Sequence, residues 1–290
     1  MTSEASQSGR ELGLESGAPS PLTLRLILAL AGLGLVAGLL SGMFGVGGGI
    51  VLVPGLMAVA GFSQRKAAGT SLAAIVPLAS VGVITYATHG HVSWIAALLL
   101  ALGAIAGAQL GAWLLKRVNV RVLQLAFAAF MVVVIASLFW VVPSRDTDLV
   151  ITWGTGLGLV ALGFVTGVLS GLLGVGGGVI VVPALMLLFG AHDLIAKGTS
   201  LLMMIPTAVS GTVANVRNKN VDLRAALIVA IPACGTTYLG SALARAVEPE
   251  VANIIFAVFL AAVAAQLVWK ALRRPAAGAK TSSPEQKESQ

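Results

Sequence analysis

Three runs of the chain, Leu22–Leu40, Ile95–Leu115 and Val122–Val142, carry no acidic side chain and almost no basic one over about twenty residues each. A helix of that length reaches across the hydrocarbon core of a bilayer, where every backbone N–H and C=O must be satisfied inside the protein. Only helices and closed barrels meet that condition. The period-two alternation of a barrel strand is missing, so the chain reads as an all-α integral membrane protein. Composition agrees: 57% of residues are hydrophobic, 10% are charged and mean hydropathy is +0.96, against about 25% charged in a soluble domain. The net charge of +7 would suggest nucleic acid in a soluble protein. Here the basic residues sit between apolar runs and near the C-terminus, which is a signature of membrane orientation.

The chain contains itself twice. A shift of 129 positions lays Gly42 on Gly171, Pro54 on Pro183, Gly69-Thr70-Ser71 on Gly198-Thr199-Ser200, Pro77 on Pro206, Gly111 on Gly240 and Phe127 on Phe256. Shared apolar composition would not align prolines and a glycine cluster together. The expected organisation is a disordered tail at 1–21, a first transmembrane repeat at 22–143, a loop at 144–148, a second repeat at 149–274 and a disordered tail at 275–290. The N-terminal tail lacks the basic stretch that opens a secretory signal, so the apolar segment after it is expected to be retained. The single cysteine, Cys234, permits neither an intrachain disulfide nor a cysteine-built metal site and is read as a packing residue.

Each repeat divides into four apolar segments, in the first Leu22–Phe62, Ala67–Thr88, Ser93–Leu115 and Val120–Val142. The first is too long for one crossing and holds the glycine cluster, so it is a broken helix or a hairpin. Basic residues decide between the two. If the segment crosses once, the repeats point the same way and the loop with Arg217, Lys219 and Arg224 lies outside, against the positive-inside rule. If it returns to its own side, or spans twice, each repeat crosses an odd number of times and the second repeat is inverted. Arg65-Lys66, the Lys116–Arg121 loop, the Arg217–Arg224 loop and Lys270–Arg274 then all face the cytoplasm. The expectation is two inverted repeats, each a glycine-broken helical hairpin plus three further membrane helices, with both termini cytoplasmic.

The hairpin turns are "GVGGG" in both copies, and glycine costs roughly 1 kcal/mol against alanine in a helix interior. Irregular backbone at membrane depth survives only where it is buried in protein or lines a wet cavity, as at a transporter's substrate site. A helix restarting after Gly47, Gly48 and Gly49, and another after Gly176, Gly177 and Gly178, would present free N–H groups and positive dipole ends to one cavity, a setting for an anion. Thr70, Ser71, Thr199 and Ser200 open the next helices, either as caps or as hydroxyl donors to that anion. Gly34, Gly38 and Gly42, with Gly163, Gly167 and Gly171, have the spacing of close helix packing.

Other polar residues are few. Lys197 either draws anions inward or, the simpler reading, snorkels to the interface. His89 and His91 lie in a loop and lack the further ligands a metal site needs. Gln109, Tyr238 and Asn215 are read as helix-to-helix hydrogen bonders. No Asp or Glu occurs between Glu15 and Asp146, and the later ones lie at segment edges, which argues against a relay of intramembrane carboxylates. No Gly-Lys-Ser/Thr follows the glycines, so they form no nucleotide loop. Neither a nucleophile with its base nor a metal cluster marks an enzyme, and no cofactor is expected.

The paired "SGMFGVGGGIVLVPGL" and "SGLLGVGGGVIVVPAL", each followed by "AAGTS" or "AKGTS" and a helix with a proline, resemble the sulfite exporter TauE/SafE family of membrane permeases. The resemblance spans nearly the whole chain except the tails. It implies a multi-spanning inner-membrane permease for sulfite, sulfonate, sulfoacetate or a related sulfur-containing anion, with the lipid bilayer as its other partner. An anion moving alone is driven outward by a negative interior, which favours export. An anion channel, a permease for a non-sulfur organic anion, sodium held by backbone carbonyls and self-association all stay open on the sequence.

Overall fold

The computed structural model describes residues 23–114, 152–173 and 176–273, with pairs of helical residues at 128–129, 131–132 and 135–136. Both tails, the 144–148 loop and most of the Val120–Val142 segment lie outside the described residues. Every regular element among the described residues is a helix: α1 (Leu24–Phe44), α2 (Gly49–Ala60), α3 (Gln64–Ala87), α4 (Trp94–Leu114), α5 (Trp153–Leu173), α6 (Gly178–Phe189), α7 (Asp193–Arg217), α8 (Leu223–Ala246) and α9 (Pro249–Arg273). Six of them, α1, α3, α4, α5, α7 and α8, are long and apolar enough to cross a membrane. The helices run on through Pro77 and Pro206.

Small residues dictate which helices meet. A Cβ on Gly34, Gly38 or Gly42 of α1 would strike the carbonyls of Val229, Ala233 and Thr237 of α8 in turn, so these two helices lie backbone to backbone. Both sets of residues advance in the same order; α1 and α8 therefore run parallel. The repeat-related pair behaves alike. Gly163, Gly167 and Gly171 of α5 sit on the carbonyls of Leu100, Ala104 and Ala108 of α4, and Gly103, Gly107 and Gly111 return the contact on Val160, Phe164 and Val168. Without a hydrophobic force between helices in lipid, such close approach supplies the dispersion contacts that hold the pair. Each pair joins one helix from each repeat, so the halves are interlocked.

Between the pairs, α3 and α7 run antiparallel: Gly69 meets Asn220 just beyond α7, Gly211 of α7 meets Leu72, Gly82 meets Leu201, and Gly198 meets Tyr86. The glycine-broken segments fold back. Gly48 lies against Ala37 and Gly55 against Leu33, so α2 retraces α1; Gly177 against Thr166 and Gly158 against Phe189 give α6 the same relation to α5. At 12 residues each, α2 and α6 rise about 18 Å, short of a crossing. Phe44, at the end of α1, closes that corner by stacking on Phe256 and Phe259 of α9 at 5.1 and 5.2 Å.

Candidate functional site

The reversal from α1 into α2 is made by left-handed glycines. Gly45 (φ 69°) ends α1, its N–H donating to the Ser41 carbonyl at 2.8 Å, and Gly47 (φ 72°) and Gly48 (φ 69°) carry the chain into α2. Gly176 (φ 81°) does the same before α6. Side chains strain at these angles and glycine does not. All of these residues are buried.

The two turns meet at the centre of the bundle. Ile75 and Met204, halfway along α3 and α7 and related by the 129-residue shift, bracket them. A Cβ on Gly47 would enter the Met204 thioether, and one on Gly176 would stand 2.6 Å from Met204 Cε and 3.2 Å from Ile75 Cδ1. Direct contact follows at the next step: a Cβ on Gly178 would lie 2.7 Å from the Gly45 carbonyl oxygen. Among the described residues, the N–H groups of Gly47, Gly48 and Gly49 donate to no backbone carbonyl, and in the second turn Gly178 donates to Gly176 and Gly177 to no described carbonyl. Buried donors at two helix starts are what an anion would satisfy.

Two of the four predicted hydroxyls, those of Thr70 and Thr199, make bonds to loops of the opposite repeat. Thr70 Oγ1 accepts the Asp222 N–H, and Thr199 Oγ1 accepts the Ser93 N–H, both at 3.0 Å. Ser93 and Asp222 are themselves repeat-related, so the two bonds form one clasp made twice, each tying a helix of one repeat to a loop of the other. Gly69 beside Asn220 puts Thr70 and Ser71 near the α7–α8 connection, whereas Gly198 beside His91 puts Thr199 and Ser200 near the α3–α4 connection. These are opposite ends of the bundle. Of the four, Ser200 reaches the first turn, donating to the Gly45 carbonyl at 3.0 Å. Ser71 Oγ is buried without a partner.

Sequence reasoning missed Thr166. Its Cγ2 would lie 2.6 Å from a Cβ on Gly177, and its hydroxyl, on a side chain with no exposed area, has no hydrogen-bond partner. The counterpart is Ala37 against Gly48, so a polar residue in one copy and an apolar one in the other was the available signal. Ser41 Oγ, one turn before Gly45, is likewise buried and unpartnered. An unsatisfied buried hydroxyl costs about 1–3 kcal/mol, which a bound ligand can recover.

Other expectations need correction. Lys197 does not snorkel: it is 4% exposed, Nζ lies 3.3 Å from Asp193 Oδ2, and a Cβ on Gly45 would stand 2.6 Å from its Cα. Gln109 and Tyr238 are exposed rather than bonded between helices, and Asn215 donates within its own helix, to the Gly211 carbonyl at 2.8 Å. On the opposite end from Lys197, Lys66 pairs with Asp222 at 3.1 Å, so the Arg65-Lys66 and Arg217–Arg224 loops lie on one face.

A family model described as Sulfite exporter TauE/SafE matches residues 8–138 and 159–289. Among curated proteins, the chain is 28% identical over 263 residues to probable membrane transporter protein YunE of Bacillus subtilis, covering 83% of this chain and 96% of that protein. It is 28% identical over 256 residues to a probable membrane transporter protein of Xylella fastidiosa, 86% and 97% covered. A probable membrane transporter protein of Methanocaldococcus jannaschii is 24% identical over 255 residues, 82% and 93% covered. No solved structure matches.

Proposed function

The chain belongs to the sulfite exporter TauE/SafE family of membrane transporters, and from that premise we propose that it exports a small sulfur-containing anion, of the sulfite, sulfonate or sulfoacetate type, across the inner membrane. The anion sits between the two glycine turns and takes hydrogen bonds from the N–H groups of Gly47–Gly49 and Gly177, with Thr166 and Ser41 as hydroxyl donors. The observation that carries this reading is the meeting of two buried, N–H-presenting turns with unpartnered hydroxyls beside them.

Movement is by alternating access between inverted repeats. Helix directions support the inversion: with α1 pointing up, α8 and α3 point up while α4, α5 and α7 point down, so α5, α7 and α8 each oppose their counterparts α1, α3 and α4. The α1–α8 and α4–α5 pairs are the natural rigid arms, and the central α3–α7 pair is where they pivot. Placing the Lys66–Asp222 face in the cytoplasm satisfies the positive-inside rule. Both termini then lie inside.

Labelled sulfite loaded into proteoliposomes tests the reading. The expected result is saturable efflux that external unlabelled sulfite accelerates, because a carrier returns faster when occupied. Efflux that rises linearly and ignores external anion would indicate a channel and defeat alternating access.

A further inference from the structure

All three histidines of the chain form one row at the end of the bundle opposite Lys66. His89 is exposed, His91 is half-buried and His192 is 7% exposed. Their rings lie near parallel, with centroids 6.4 Å apart from His89 to His91 and 6.0 Å from His91 to His192. The row leads from the surface to the start of α7, where His192 is the N-cap and its Nδ1 accepts the Leu194 N–H at 3.0 Å. An accepting nitrogen carries no proton. Yet Asp193 Oδ1 stands 3.1 Å from that same Nδ1, on a residue 2% exposed, and has no hydrogen-bond partner of its own. Two acceptors therefore face each other inside the protein, a contact that one added proton would turn into a charge-assisted hydrogen bond.

The same residues reach the first glycine turn. Asp193 Oδ2 holds Lys197 Nζ at 3.3 Å, the Lys197 backbone lies against Gly45, and Ser200 donates to the Gly45 carbonyl at 3.0 Å. Tyr86 of α3 donates to the Gly42 carbonyl at 2.7 Å, and Arg245 of α8 donates to the Thr85 carbonyl at 3.5 Å, so among the described residues these two join the charged and titratable groups at the cluster. None of this is repeated on the other face. The 129-residue shift carries His89, His91, His192, Asp193 and Lys197 onto Asn218, Asn220, Ser63, Gln64 and Ala68; Ser63 caps α3 with a hydroxyl that does not titrate in this range.

We propose that His192 Nδ1 and Asp193 Oδ1 form a proton-binding site that controls the mouth of the first glycine turn. With no proton, Nδ1 caps α7 through Leu194. With a proton, Nδ1–H turns to Asp193 Oδ1, the Leu194 cap is released, and Asp193 holds Lys197, whose backbone lies against Gly45, less tightly. Partial burial, then the neighbouring His192, His89 and Arg245, push the His91 pKa below its ordinary value against the pull of Asp193. The link to anion movement rests on the transport reading above; the proton site does not.

Nuclear magnetic resonance of full-length protein in lipid nanodiscs, labelled at histidine and leucine, tests this without a substrate. The expected result is one titration step in which the His192 ring gains its Nδ1 proton and the Leu194 amide signal moves with the same midpoint. Asp193→Asn should lower that midpoint by about 1–3 pH units, the effect of removing an adjacent opposite charge. His192→Asn, which keeps a good cap, should hold the Leu194 signal constant across the range and guards against loss of fold in the Asp193 variant. A Leu194 signal that ignores His192 protonation, or that still moves in His192→Asn, would overturn the proposal. Radiolabelled sulfite efflux at several external pH values separates the two readings: beyond the pH dependence that sulfite's own protonation gives both proteins, the proton site predicts a component that His192→Asn removes. Wild-type protein that moves no sulfite but titrates as described removes the substrate reading alone.

Discussion

Thr166 separates a binding role from a folding role by sign. Its hydroxyl is buried and unpartnered, so Thr166→Val removes a polar atom that contributes no hydrogen bond within the protein and keeps the shape. Melting of the ligand-free protein should stay level or rise, since replacing an unsatisfied polar group with an apolar one of equal volume is neutral or stabilising. A fall of several degrees would mean that the hydroxyl serves the fold. Thr70 and Thr199 should behave oppositely, because each accepts an N–H from the other repeat. Single residues were also where the sequence was least legible. "GTS" at a helix start looks the same whether the threonine caps, clasps a distant loop or faces a cavity, and only the helix register shows that the two copies sit at opposite ends.

Helix pairs hold because glycine lets backbones touch, and that makes position decisive. In α1, Gly38→Leu would drive a side chain into the Ala233 carbonyl and the Thr236 hydroxyl, whereas Gly32→Ala meets nothing within 4 Å. The first should cost about 3 kcal/mol, the upper range for overpacking, because backbone cannot yield; the second should be neutral or stabilising. Thermal melts in one detergent compare them directly. The four-residue glycine spacing was legible as packing from sequence, though not the partner: nothing in the spacing says that α1 seeks a helix of the other repeat. The start of α8 adds a pH dependence. Partial burial raises the Asp222 pKa, but the hydrogen bond from the Ala225 N–H, the Lys66 ammonium and the Arg224 N–H outweigh it and hold the pKa below its ordinary value. Its contribution is therefore full at neutral pH and is lost as pH falls below about 4 and through the folded pKa. Asp222→Asn, which can still cap α8, should flatten the acid limb of the melting-temperature profile, and an unchanged limb would assign acid sensitivity to other groups.

Across the molecule, the duplication and membrane character were plain in the chain because apolar runs and repeated glycines and prolines are local signals. The crossing of the repeats into α1–α8 and α4–α5 pairs, and the burial of Asp193 with His192 and Lys197, were not. Both depend on which surfaces meet, which a helix-edge position does not reveal. The central claim is that an anion lies between two glycine turns with Thr166 among its donors. Thermal stabilisation of purified protein by sulfite, sulfate, thiosulfate, sulfoacetate, taurine and simple carboxylates, compared between wild type and Thr166→Val, tests it most directly, since a ligand of the native state raises the melting point. The account predicts a rise for a sulfur oxyanion in wild type and an affinity about ten- to a hundredfold weaker in the variant, the loss of one hydrogen bond to a charged group. Folded wild type with no shift for any sulfur anion, or an equal shift in both proteins, would contradict it.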